Sequence, residues 1–167
     1  KQEVAFPEKK INDEAKNIVL NLSNIKTSNG VNKVNLKIYK GEVVGLLGLV
    51  GSGRTEILRS IFGIDKIIEG NIEFLDERIT PKNPEAAIKK GIVMIPEDRR
   101  KQGLVFTQNT RSNISITDLK AVSKNQIIKF KKEISLVKEL ITLLDIKPDE
   151  VEGNISFYSG GNQQKVL

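Results

Sequence analysis

The sequence predicts an α/β fold: an antiparallel β region, an α/β segment with two buried strands, and a helical region near 111–150. Three observations predict it. Residues 33–39 alternate, with Val34, Leu36 and Ile38 on one face and Lys33, Asn35, Lys37 and Tyr39 on the other. That is a strand with one wet face, as antiparallel sheets use. Val43, Val44, Leu46 and Leu47 instead form a continuous apolar run, which suits a strand buried on both faces of a parallel sheet. Finally, Ile127, Phe130, Ile134, Val137, Ile141 and Leu144 recur at three- and four-residue steps, the period of a helix that packs one stripe.

Each element follows from local chemistry. Residues 1–16 are polar, carry Pro7 and show no sustained apolar period, so they read as a linker; residues 17–167 form the domain portion. Strands are predicted near 17–24, 33–40 and 70–76, the last with Ile72 and Phe74 inward. Residues 42–47 and 92–95 are the two buried strands. A helix over 55–62 places Leu58, Ile61 and Phe62 on one side and stops at Gly63. Another begins with Asn83 as N-cap and Pro84 at the first helical position, and ends at Gly91. Ser123 and Gln126 read as a capping box opening the long helix, with Lys129, Lys131, Lys132, Glu133, Lys138 and Glu139 on its wet faces. Pro148 forbids its continuation.

Composition narrows the function. At 167 residues the chain is one domain or a piece of one, and 38% hydrophobic residues exclude disorder of the whole. The longest apolar run, 43–51, is broken by Gly45 and Gly48 and falls short of the ~18 residues of a membrane span. No basic-then-apolar opening suggests a signal peptide. The absence of cysteine excludes disulfides and thiolate metal sites; the absence of histidine excludes His-based catalysis and most zinc sites. The net charge of +6 comes from dispersed lysines, and aromatics are only 5%, so a nucleic-acid partner is not expected.

Three motifs carry chemistry. Gly48-Leu49-Val50-Gly51-Ser52-Gly53-Arg54-Thr55 lies where the first buried strand gives way to a helix, and matches G-x-x-x-x-G-K-[ST] except for Arg54. Glycines let successive N–H groups curl into an anion-binding nest at a helix N-terminus, and Thr55 offers a hydroxyl where Mg²⁺ bridges phosphates. Pro96-Glu97-Asp98-Arg99-Arg100-Lys101-Gln102-Gly103-Leu104 follows the second buried strand, at the end that faces the ligand crevice in open α/β sheets. Ser159-Gly160-Gly161-Asn162-Gln163-Gln164-Lys165-Val166 is a third, polar helix start. Leu140–Asp145 looks like an apolar strand ending in an acid, but it continues the helical stripe and reads as helix core.

In this order, the three motifs resemble the ATP-binding subunits of ABC transporters, over residues 17–167. The strings 96–104 and 159–166 resemble the sugar-import branch of ribose, galactose and xylose type, and 51–56 resembles its second nucleotide-binding domain. The resemblance implies a P-loop NTPase-like nucleotide-binding domain with an antiparallel β subdomain and an α-helical subdomain. It implies that Gly48, Gly51, Ser52, Gly53, Arg54 and Thr55 form the Walker A loop for ATP and Mg²⁺, with Thr55 on the metal. Glu97 takes the Q-loop position, and Ser159, Gly160, Gly161 and Asn162 the signature motif that binds the ATP of an opposing domain. Implied partners are a first nucleotide-binding domain in the same polypeptide, membrane-spanning permease subunits and, indirectly, a sugar-binding protein, at the cytoplasmic face of the membrane.

Departures shape the expectation. Arg54 puts a planar fork where the family has a compact ammonium, and Glu97 puts a charge where it has Gln. No aromatic lies between Glu8 and Ile38 to stack on adenine. Each change weakens the local ATP site, while the signature motif is less altered. By resemblance, the Walker B strand and switch region follow Leu167, so the chain is expected to be a truncated domain, inactive alone. A nucleoside-type importer is the near alternative. A different P-loop protein explains the Gly48 loop but neither later string, and no N-K-x-D guanine motif is present.

Overall fold

The computed structural model describes residues 17–167, so the linker reading of 1–16 lies outside the described residues. The chain divides into two compact units, one ending at Met94 and the other beginning at Ile95.

The first unit is built on four antiparallel strands, β1 (Ile18–Thr27), β2 (Val34–Tyr39), β3 (Ile67–Phe74) and β4 (Glu77–Ile79), in the order β2-β1-β3-β4. Helix α1 (Arg54–Ile61) lies in sequence between β2 and β3, and α2 (Pro84–Lys89) follows β4. Leu22 is the centre of the sheet, opposite Leu36 on one side and Ile72 on the other. Leu20, Leu22, Ile25, Ile72 and Ile79 form a core with Val31 and with Ile57 and Ile61 of α1. The β1 phase changes within the strand: Leu20 and Leu22 face inward, then Ile25 and Thr27. Irregular pairing on both sides of 22–26, with Asn24 at φ 52°, inserts the extra residue that re-aims the chain. Gly70 sits opposite this kink; a methyl group there would lie 2.5 Å from the Asn24 carbonyl oxygen. Only glycine fits.

The predicted helix stops hold. α1 ends in a Schellman motif, with Ile64 N–H on Arg59 O (2.9 Å) and Gly63 N–H on Ser60 O (3.2 Å). α2 starts with Asn83 accepting from Ala86 N–H and ends the same way, Ile92 N–H meeting Ala87 O at 3.0 Å.

The two predicted buried strands do not form. Residues 42–49 and 92–96 carry no ladder, and Val43 and Leu47 are 97% and 96% exposed. The reason is physical: a strand apolar on both faces needs neighbours on both sides, and among the described residues none pairs with these segments.

The second unit is mainly helical: α3 (Arg99–Gln102), α4 (Thr110–Ser115), a 3₁₀ turn, α5 (Leu119–Val122), a hairpin of β5 (Ser123–Lys124) and β6 (Ile127–Ile128), α6 (Phe130–Leu143), a 3₁₀ turn at Ile155–Phe157, and α7 (Gly160–Val166). Val137 and Ile141 of α6 pack with Leu104, Ile146, Ile155, Tyr158 and Val166. The predicted capping box is wrong. Asn125 and Gln126 both take positive φ, 52° and 64°, and turn β5 into β6, as a two-residue hairpin loop requires. The long helix therefore starts at Phe130. Leu140–Asp145 does end that helix, as read from sequence, although Leu143 points to solvent.

Glu133 is also misplaced by the sequence reading. It is 2% exposed and accepts from Arg111 Nη1 and Ser115 Oγ, both at 2.6 Å. Arg111 bonds Glu152 as well (Nε to Oε1, 2.7 Å) and stacks on the Phe130 ring. Its hydrogen bond to Glu152, aided by Glu133, raises the guanidinium pKa further, against the burial that lowers it.

Candidate functional site

In the first unit, the predicted phosphate loop is a turn held by its own glycines. Gly51 and Gly53 have φ of 82° and 88°, where a Cβ is strained. A methyl group on Gly48 would lie 2.4 Å from Ser52 Oγ and 3.0 Å from Ser52 Cβ, so a side chain there would displace Ser52. Ser52 N–H closes the turn on Leu49 O at 3.1 Å. Gly53 is the N-cap of α1, and Arg54 and Thr55 are its first two residues. The loop therefore presents a glycine cradle at a helix start, which suits phosphate oxygens. For a metal it offers the Thr55 hydroxyl, and among the described residues no cluster of three acids completes a cation site.

At the foot of α1, Arg59 clamps Asp65 with two bonds, Nε to Oδ2 at 2.8 Å and Nη2 to Oδ1 at 2.9 Å. That fork holds the nearly buried carboxyl below the usual aspartate range, against the burial that raises it. The pair ties the last turn of α1 to the segment that follows Gly63.

Glu97, Ser159, Gly160, Gly161 and Asn162 lie in the second unit. Glu97 is exposed, two residues before α3, whose start is capped by the Asp98 carboxylate accepting from Arg100 and Lys101 N–H. Ser159 is the exposed N-cap of α7. Its Oγ accepts from Asn162 N–H (3.4 Å) and from Asn162 Nδ2 (3.0 Å). The orientation of the Asn162 amide is set by its other end, because Oδ1 accepts the Lys147 backbone N–H at 2.9 Å. With both acceptor positions engaged, the Ser159 hydroxyl has its proton left to donate outward.

The two glycines of this turn are unlike those of the first. Neither has positive φ. A methyl group on Gly161 would meet nothing within 4 Å, and one on Gly160 only the end of the Arg99 side chain. Alanine is the better helix former and Gly161 is the second residue of α7, so among the described residues nothing calls for glycine there.

Sequence reasoning missed the partners that hold this turn. Gln163 is buried, its Nε2 donating to Ile155 O (3.2 Å) and Tyr158 O (3.0 Å), and its Oε1 accepts from Arg99 Nε at 2.9 Å. Arg99 and Gln163 are 64 residues apart, and no local pattern announces their pairing.

Comparisons with known proteins identify the family and the fold. The family model for ABC transporters matches residues 31–167. A ribose import ATP-binding protein RbsA from Oceanobacillus iheyensis is 39% identical over 149 residues, covering 89% of this chain and 30% of that protein. That of Caldanaerobacter subterraneus is 40% identical with the same coverage, and that of Streptococcus agalactiae serotype Ia is 37% identical over all 167 residues, 33% of its own length. The chain thus spans about a third of the curated relatives it matches. Among solved structures, the MJ1267 ATP-binding cassette of an ABC transporter aligns with a TM-score of 0.70 at 22% identity, covering 89% of this chain and 62% of that one. A nucleotide-free ATP-binding cassette aligns at 0.68 and 19%, covering 90% and 64%. These establish the fold: an ABC ATPase cassette portion with its antiparallel sheet and helices. With the family model covering most of its length, the chain belongs to the ABC transporter family.

Proposed function

We propose that this chain is part of the ATP-binding component of an importer of ribose-type sugars, and that it serves mainly as the signature donor to ATP held by an opposing domain. Gly161 carries the reading. A helix that keeps a glycine its own fold does not need leaves room for something outside the chain to approach its backbone closely. Beside it, the outward Ser159 hydroxyl proton and the helix start suit a phosphate oxygen.

The local loop, Gly48 to Thr55, would cradle the phosphates of a second ATP, with Thr55 toward Mg²⁺. Arg54 replaces a point charge by a fork, and Glu97 brings a negative charge to the Q-loop position; both weaken this site. The chain is then the second, degenerate nucleotide-binding domain of a two-domain polypeptide, with residues 1–16 as linker. Its partners are the first domain, membrane-spanning permease subunits at the cytoplasmic face and, through them, a sugar-binding protein. The names of the RbsA relatives support ribose import, and uptake of ribose against a nucleoside decides the substrate class. The 167 residues alone are expected to turn over no ATP, because the signature turn acts on a nucleotide held by an opposing domain.

The test compares two substitutions in the full-length protein assembled with its permease, both shown to be folded. Ser159→Arg is expected to abolish sugar-stimulated ATPase activity, because bulk and charge block the approach of the opposing nucleotide. Arg54→Ala is expected to cost much less. Equal damage from both overturns the division of labour.

A further inference from the structure

The residue that stands between the Glu97 segment and the signature turn is Arg99. Asp98 caps α3, so Arg99 leaves a rigid start only two residues beyond Glu97. Its guanidinium reaches α7 at two places. Nε donates to Gln163 Oε1 at 2.9 Å, and Nη2 rests against Gly160, 2.9 Å from where a methyl group would sit. Further along, Gly103 at the end of α3 packs against Leu167, where a methyl group would lie 2.5 Å from Leu167 Cδ1. α3 is thus fastened to the start, middle and far end of α7.

Gln163 passes the contact on. Two carbonyls, Ile155 O and Tyr158 O, fix its amide nitrogen, so its oxygen must face Arg99. Tyr158 immediately precedes Ser159. The Tyr158 side chain is itself fixed, its hydroxyl donating to Glu150 O at 2.9 Å. A displacement of α3 therefore has a partly buried polar route to the backbone of the Ser159 turn: guanidinium, Gln163 amide, Tyr158 carbonyl.

We propose that Arg99 is a positioning residue that sets the Ser159–Gly161 turn through Gln163 and ties it to the segment carrying Glu97. The assignment rests on the signature-donor reading above and adds a coupling element to it. Arg99 touches no nucleotide in this scheme. It holds the turn in the shape that meets one.

The experiment uses the full-length protein assembled with its permease in vesicles, with Arg99→Ala and Arg99→Lys. Loss of one charge-assisted hydrogen bond to the turn is expected to lower kcat of Arg99→Ala about tenfold, with KM for ATP within about twofold of wild type. Amide hydrogen exchange at 158–163 should quicken in the same variant. Arg99→Lys keeps a cation able to reach Gln163 Oε1 and should recover kcat to within about threefold of wild type. If Arg99→Ala does not fold, Arg99→Met, which keeps the side-chain stem and removes the donor, carries the test: a kcat deficit at constant KM supports the assignment, and a wild-type kcat overturns it. Wild-type kcat and exchange in a folded Arg99→Ala also overturn it, as does a rise in KM without a fall in kcat. A wild-type assembly with no ATP turnover overturns the functional reading and the Arg99 assignment together, whereas normal turnover with a fully active Arg99→Ala overturns the Arg99 assignment alone.

Discussion

The two glycine turns of this chain look alike in sequence and differ in what their glycines are for. In the turn at 48–53, Gly51 and Gly53 hold positive φ and Gly48 makes room for Ser52, so the glycines serve the local backbone. In the turn at 159–161 the backbone is unstrained and Gly161 faces open space, so no described residue requires a glycine there, and the proposed function gives it to an approaching nucleotide. Their supports differ too. The first turn follows a segment with no ladder, whereas the second is fastened through Asn162, Gln163 and Arg99. One glycine turn is tied down by side-chain hydrogen bonds from distant segments, while the segment leading into the other pairs with no described strand.

The contrast is open to breakage. The largest expected effect is at Glu133, which supports the unit carrying the Ser159 turn. Removing one partner of a buried pair strands the other, so Glu133→Ala should cost about 3 kcal/mol, read as faster exchange of the α6 amides. Retained Glu152 keeps the figure at the low end, and an unchanged α6 would show that this unit does not depend on the pair. Next comes the first turn. Gly53→Ala forces a side chain into the left-handed region and into Val31 Cγ2 at 3.3 Å, and should destabilise α1 by about 1–2 kcal/mol.

Acid should then act on the first unit through Asp65. Its folded pKa lies below the ordinary 3.8, so the stabilisation is complete above that value and is lost as pH falls through the folded pKa. Asp65→Asn should flatten that acid limb in a pH series followed by exchange of the α1 amides, and an unchanged limb would remove the pair from the account. Lys26→Ala, which breaks a surface ion pair with Glu69 across the sheet, should change stability by no more than about 0.5 kcal/mol in urea unfolding. A larger loss would mean that exposed pairs matter to this sheet.

Much of this architecture was legible in the sequence, for identifiable reasons. Strict alternation at 33–39 and glycines at 63 and 91 are local signals, and they placed β2 and two helix ends. What local signals cannot convey is whether neighbours exist. Val43, Val44, Leu46 and Leu47 read as a buried strand, yet burial belongs to a sheet and no described strand joins them. The S-x-x-Q pattern at 123–126 satisfied the capping rule while Asn125 and Gln126 satisfied the hairpin rule, and the hairpin won. Glu133 looked wet because its partner Arg111 is 22 residues away. The candidate site was drawn from motifs; the bonds that hold its second turn, Arg99 to Gln163 and Asn162 to Lys147, join distant segments and have no sequence signature.

The most direct test of the central claim is Gly161→Ala in the full-length, permease-bound protein, with stability and sugar-stimulated ATPase measured side by side. The added methyl meets no described atom and improves helix propensity, so the unit should lose no stability and gain at most a fraction of the ~1 kcal/mol that alanine adds in a helix interior. The ATPase rate should nevertheless fall by about tenfold or more, because the space the methyl fills is kept for the opposing nucleotide. A variant that is as stable as wild type, or more so, and fully active would contradict the claim that this turn is shaped for a partner's ATP.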